Sequence, residues 1–120
     1  FYNSNYKEII NKTKTIDDLI NKYGKPNLIK IDVEGGEYEC VKSLSQKVNC
    51  ICFEWASETH DITLKCLQHL LSLGYNKFYI QKGDNYIFRP EPINYEDLIL
   101  VKEKLTKMIP KKDWGMIWCI

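Results

Sequence analysis

Acidic residues stand near the ends of two apolar segments of the sequence. The segment LIKIDVEGGE (28–37) places Asp32 and Glu34 after an apolar run, and NCICFEW (49–55) places Glu54 near its end. A charged side chain in line with a buried apolar segment costs free energy unless it pairs with another group or serves a function. Carboxylates in such positions suit a cationic ligand, a hard metal ion, a hydroxyl group or a proton transfer.

A phosphate ligand does not fit the same segment. Glycine loops that cradle phosphates present bare N–H groups at the start of a helix, where the helix dipole is positive. Here the helix that follows Gly35 and Gly36 begins with Glu37 and Glu39, so acidic side chains already occupy that end. We interpret these two glutamates as ordinary helix-start acids.

Apolar periodicity and turn residues predict the elements that hold these side chains. Thr15 can cap a first helix together with Asp18, and Gly24 ends that helix. Asn94 can cap a last helix. The predicted order is a helix from Thr15, a strand over 28–33, a helix over about 37–45, a strand over about 49–55, a helix over 61–73, a hairpin of KFYIQ and NYIFR, a helix over about 95–108 and the aromatic tail WGMIWCI.

This alternation predicts one α/β domain over residues 1–120. The expected architecture is a three-layer Rossmann-like sheet that is mostly parallel, with an antiparallel hairpin at one edge. Open α/β sheets bind their ligands beyond the carboxyl ends of the strands. We therefore expect Asp32, Glu34 and Glu54 to lie at the ligand crevice.

The composition narrows the possible partners and the compartment. The 17 basic and 16 acidic residues give a net charge of +1, so no global field recruits nucleic acid or an anionic membrane. The apolar runs are too short to span a bilayer. The five cysteines form no regular disulfide framework, which favours a reducing, cytoplasmic location. Cys50 and Cys52, with Cys40, Cys66 and His60, make a zinc site conceivable, but a lone CxC pair is weak, and we expect no metal.

The stretch TIDDLINKYGKPNLIKIDVEGGEYECVKSL (15–44) resembles the central signature of the FkbM family of methyltransferases. Members of that family show a Thr-Leu/Ile-Asp motif, a short spacer and an apolar–Lys–apolar–Asp–Val–Glu–Gly–x–Glu segment. The resemblance covers about residues 13–90, is strongest over 15–41, and is most specific in IKIDVEGGE.

The resemblance implies a function for the acidic strand ends. It implies that a methyl group is transferred from S-adenosylmethionine, commonly to a hydroxyl group of a small molecule or a saccharide. Asp32, Val33, Glu34 and Gly35 would then face the cofactor and the acceptor. The enzyme's main task would be to hold acceptor and methyl group in near-attack geometry.

Proton transfer would be a secondary contribution of the same crevice. The ordinary pKa of a glutamate is about 4, so Glu34 or Glu54 would need burial to raise its pKa before it could act as a useful base. The ordinary pKa of a histidine is about 6.5, so the pKa of His60 would need little change. The predicted catalytic residues are therefore Asp32, Glu34, Glu54 and His60.

The sequence also departs from the family. Its members resemble other class I methyltransferases in a Gly-rich cofactor loop after the first strand and an acid that ends the second. Neither feature lies upstream of Thr15. We therefore expect this chain to be the carboxy-terminal half of the fold, within a longer protein, and not to bind S-adenosylmethionine alone.

A non-catalytic role is the alternative function. A truncated methyltransferase-like domain could act as an interaction or dimerisation module. The strand at 28–33 would then lack a neighbour, and an unpaired strand edge is a template for association. We expect a homodimer through this edge, or residues 1–12 folded across it.

Overall fold

A computed structural model of the protein describes residues 14–83 and 94–120. Four helices and four strands make up the described part, together with short 3-10 turns at Ser57–Thr59 and Ile109–Lys111. In chain order the elements are α1 (Ile16–Tyr23), β1 (Leu28–Ile31), α2 (Glu37–Lys42), β2 (Cys50–Ala56), α3 (His60–Ser72), β3 (Phe78–Lys82), α4 (Leu98–Met108) and β4 (Trp114–Cys119).

The first helix begins as the sequence predicts. The Thr15 hydroxyl accepts the Asp18 N–H at 3.0 Å, and the Asp18 carboxylate accepts the Thr15 N–H at 3.1 Å. This reciprocal capping box satisfies two N–H groups that the helix itself leaves unpaired. The Ile16 N–H donates to the Ser43 hydroxyl at 3.0 Å, so α1 is attached to the end of α2.

The four strands form one sheet in the order β1-β2-β4-β3. Strand β1 pairs with β2 in parallel, with Leu28 opposite Cys50 and Ile31 opposite Phe53. Strand β4 is antiparallel to both of its neighbours, β2 and β3. Two of the three pairings are therefore antiparallel.

The prediction of a mostly parallel sheet was wrong. The reversed strand is β4, and it lies between β2 and β3 instead of at an edge. Its sequence suits that place, because an interior strand needs apolar side chains on both faces, and both Met116 and Ile117 are buried. The predicted hairpin partner NYIFR lies outside the described residues.

Close approach of β3 to β4 depends on a glycine. A Cβ atom added at Gly115 would lie only 1.9 Å from the carbonyl oxygen of Gln81, which belongs to the neighbouring strand. Any larger residue would force the two strands apart.

Helices cover one face of this sheet. Alternate residues of β2, Ile51, Phe53 and Trp55, point to the same side and are buried. The same hydrophobic core takes in buried residues from all four helices, namely Ile20, Val41, Cys66, Leu67, Leu70, Leu98, Val101 and Leu105. The described residues thus form two layers, and the third layer that was predicted is not found among them.

The last helix starts later than predicted. Asp97, and not Asn94, is its N-cap, since the Asp97 carboxylate accepts the Leu100 N–H at 3.0 Å. Just before it, Glu96 and Phe78 exchange backbone hydrogen bonds of 2.7 and 2.8 Å. This bridge keeps residue 96 extended along β3, so the helix cannot begin before it.

Among the helices of the described ranges, none has both the length and the apolar character that crossing a bilayer requires.

The buried hydroxyl of Tyr75 gives a test of this fold. Tyr75 is 0% exposed, and its oxygen accepts the Val48 N–H at 2.8 Å. Tyr75→Phe leaves that buried N–H without an acceptor, so we expect it to lower the free energy of unfolding by about 1–3 kcal/mol. Denaturant titration measures the loss. Tyr23→Phe, at a side chain 73% exposed, is the matched control and should change little; equal stability of the two variants would contradict this packing.

Candidate functional site: carboxyl groups at the ends of β1 and β2

The parallel register brings two carboxyl groups together. Lys30 lies opposite Cys52 and Ile31 opposite Phe53, so Asp32, one residue beyond β1, comes alongside Glu54 of β2. The two side chains are joined by a hydrogen bond. The structure thus places Asp32 and Glu54 beside each other at the same end of the sheet, and their role in binding a ligand stays a prediction.

Burial raises the pKa of Glu54 above its usual range. The hydrogen bond with Asp32 and the negative charges of Asp32, Glu37 and Glu34 raise it further. A carboxyl group with a raised pKa is a stronger base once it is ionised, as the proposed proton transfer from a hydroxyl requires.

A left-handed turn follows Asp32. The Gly36 N–H donates to the Val33 carbonyl at 3.2 Å, which closes a turn with Glu34 and Gly35 at its centre. Glu34 has a φ of 42° and Gly35 a φ of 94°. Glycine adopts this region freely, whereas a residue with a side chain adopts it at a cost of about 1–2 kcal/mol. Strain of this kind is concentrated at functional sites.

Glu37 is an acid in the first turn of α2, as predicted, but unlike an ordinary helix-start acid it is buried. Glu37 is only 4% exposed, and its carboxyl group accepts the Gly35 N–H at 2.9 Å. Glu39, by contrast, is exposed and pairs with Lys42 at 2.8 Å. The sequence signal that singles out Glu37 is its place as the final acid of IKIDVEGGE.

His60 follows the last residue of β2 by four positions. It is the first residue of α3 and is half-buried. Within the described ranges it makes no hydrogen bond or ion pair with Asp32, Glu34 or Glu54. Its role as a base stays a prediction.

The cysteines do not gather into one cluster. All five are free, and the described residues contain no group of three or more side chains that could hold a metal ion. Cys52 lies on the face of β2 opposite to Phe53, while Cys66 lies in the core on the helix side. Burial raises the pKa of each of these two thiols to about 12, so both are neutral at pH 7.

A match to a protein-family model shows which family this chain belongs to. The model described as the methyltransferase FkbM domain matches residues 1–77, more than half of the 120 residues. The chain belongs to the FkbM methyltransferase family. This agrees with the resemblance of IKIDVEGGE, and it makes methyl transfer the general activity to which the FkbM domain points. No curated protein and no solved structure matches the chain.

The coupling between Asp32 and Glu54 is testable by titration. Asp32→Asn removes a neighbouring negative charge, so the pKa of Glu54 should fall, but burial should hold it above the usual 4.5. Carboxyl-carbon NMR of Glu54 across pH 3–8 measures the change. Asp61→Asn, at an exposed acid early in α3, is the control.

The same pair predicts how stability varies with pH. Because the folded state raises the pKa of Glu54, it binds this proton more tightly than the unfolded chain, and stability falls as the pH rises above about 4.5. That dependence should weaken in Asp32→Asn. A Glu54 pKa that is the same in wild type and Asp32→Asn would show that the two side chains do not interact.

Proposed function

We propose that this chain takes part in methyl transfer from S-adenosylmethionine to a hydroxyl group of a small molecule or saccharide, as part of a longer FkbM protein. The observation that supports this most directly is the hydrogen-bonded pair of Asp32 and Glu54 at the strand ends. Family membership supports the reaction type, because FkbM methyltransferases generally use this cofactor.

The residues beyond β1 fit the cofactor. Asp32, Val33, Glu34 and Gly35 are all exposed, so a ligand can reach them. Carboxylates accept hydrogen bonds from hydroxyl and ammonium groups and attract a positive sulfonium, and Val33 offers an apolar surface. When bound, S-adenosylmethionine supplies an electrophilic methyl group. These four residues would hold it.

Asp32 and Glu54 would orient the acceptor. The hydroxyl group of the acceptor can donate a hydrogen bond to the ionised carboxyl groups of the pair. This hydrogen bond holds the hydroxyl oxygen in position to attack the methyl group. Glu54 would take the hydroxyl proton on its carboxylate, helped by its raised pKa. Asp32 would keep the pKa of Glu54 raised. Once Glu54 has taken up the proton, Asp32 would accept a hydrogen bond from it.

The charge of the site favours neutral or cationic acceptors. Glu34 and Glu37 add negative charge close to Glu54. Phosphorylated or carboxylated acceptors would be repelled by these negative charges. A hydroxylated neutral molecule fits best.

Activity of variants tests the proposal in the full-length protein. Asp32→Ala should reduce transfer of a labelled methyl group to a panel of neutral sugars and hydroxylated small molecules by at least about a hundredfold. The fold should survive, because Asp32 is exposed. Lys65→Ala, on the exposed face of α3, should change neither activity nor fold. Full activity of Asp32→Ala would remove Asp32 from the site.

A non-catalytic role remains the second candidate. Strand β1 is the terminal strand of the sheet order, and no described strand pairs with its outer edge. Leu28 on this strand is 48% exposed. We propose that a second copy of the chain can pair along β1, since a strand at the end of a sheet is a template for pairing with another chain.

Sedimentation tests the pairing of two copies. The 120-residue chain should form a dimer, and Leu28→Lys should shift it toward monomer, because a charge on an edge strand opposes pairing. Leu71→Lys, at an exposed residue of α3, is the matched control. A monomer at every concentration, with fast amide exchange over residues 28–31, would disprove pairing through β1.

A further inference from the structure

Glu37 is buried in a way that ordinary helix-start acids are not. Among the described residues it is the only charged one whose side chain is buried, at 4% exposed. Val41, one turn later on the same face of α2, is fully buried in the core. Glu37 therefore lies on the core-facing side of α2 and has little freedom to move.

The contact that Glu37 makes lies outside its own helix. One carboxyl oxygen accepts the Gly35 N–H at 2.9 Å. Gly35 is a central residue of the left-handed turn and has a φ of 94°. Because Glu37 is attached to the core through α2, this hydrogen bond ties the turn to the rigid part of the molecule.

This left-handed turn also determines where Glu34 lies. Glu34 has a φ of 42°, which a residue with a side chain keeps only when its surroundings enforce it. Its negative charge acts on Glu54, as does that of Glu37. Loosening the turn would therefore alter the charge around the Asp32–Glu54 pair.

We propose that Glu37 is a positioning residue, which holds the Gly35 N–H from the buried face of α2 and so keeps the turn, and Glu34 with it, beside the Asp32–Glu54 pair. The effect of Glu37 on catalysis rests on the proposed function, whereas its effect on the turn does not. An acid that merely stabilised the fold would not control hydrogen exchange at the Gly35 amide.

Two substitutions separate the hydrogen bond from the charge. Glu37→Gln keeps an oxygen that can accept the Gly35 N–H but removes the charge. Glu37→Ala removes both. Glu39→Ala, at the exposed acid two residues later, is the control on the same helix.

Amide exchange and carboxyl NMR on the 120-residue chain provide the readouts. We expect exchange at Gly35 to rise about tenfold in Glu37→Ala, as for the loss of one hydrogen bond, and to stay near the wild-type rate in Glu37→Gln and Glu39→Ala. The pKa of Glu54 should fall in Glu37→Gln, fall further in Glu37→Ala, and not change in Glu39→Ala.

The outcomes decide between positioning and simple stabilisation. Unchanged Gly35 exchange in a folded Glu37→Ala variant would overturn the proposal. If Glu37→Ala does not fold, Glu37→Gln decides: a Gly35 amide as protected as in the wild type supports positioning through the hydrogen bond, and a Gly35 amide in fast exchange overturns it.

Methyl transfer by the full-length variants separates this inference from the proposed function. Glu37→Ala should lower kcat, and Glu37→Gln should recover part of the loss. If the NMR results hold while Asp32→Ala and Glu37→Ala both keep full activity, the positioning stands and the proposed function fails.

Discussion

The parallel register of β1 with β2 is the constraint on which the site depends. It places residues 31 and 53 side by side, and so brings Asp32 alongside Glu54. A slip of one residue in β2 would turn Phe53 to the opposite face of the sheet and bring a different side chain to Asp32. Burial of Ile51, Phe53 and Trp55 against the helices opposes such a slip. The hydrophobic core thereby determines which carboxyl groups can meet.

Local patterns were enough to predict much of this arrangement. The Thr15–Asp18 capping box depends on residues three positions apart, and the structure contains both of its hydrogen bonds. The strand-end rule likewise located Asp32 and Glu54, because it requires only that two neighbouring strands run in the same direction. The need to bury Glu54 to raise its pKa also followed from elementary electrostatics.

Long-range pairing could not be predicted in this way. WGMIWC has the apolar composition of a strand, but its partners in β2 and β3 lie far away in sequence, so nothing local indicates that it enters the middle of the sheet. The start of α4 was missed for a related reason, because the bridge between Phe78 and Glu96 joins distant segments. The role of Glu37 depends on tertiary burial, which its position at a helix start does not reveal.

The central place of β4 affects how the chain folds during synthesis. Strands β2 and β3 do not pair with each other as strands, and β4 lies between them in the sheet. After β2 has been made, residues 57–113 must be synthesised before β4 begins, a delay of roughly 3–12 s at about 5–20 residues per second. During that interval the edge of β2 that pairs with β4 in the finished sheet lacks this partner. An apolar strand edge without its partner favours association between chains, so residues 114–119 protect β2 as well as pair with it.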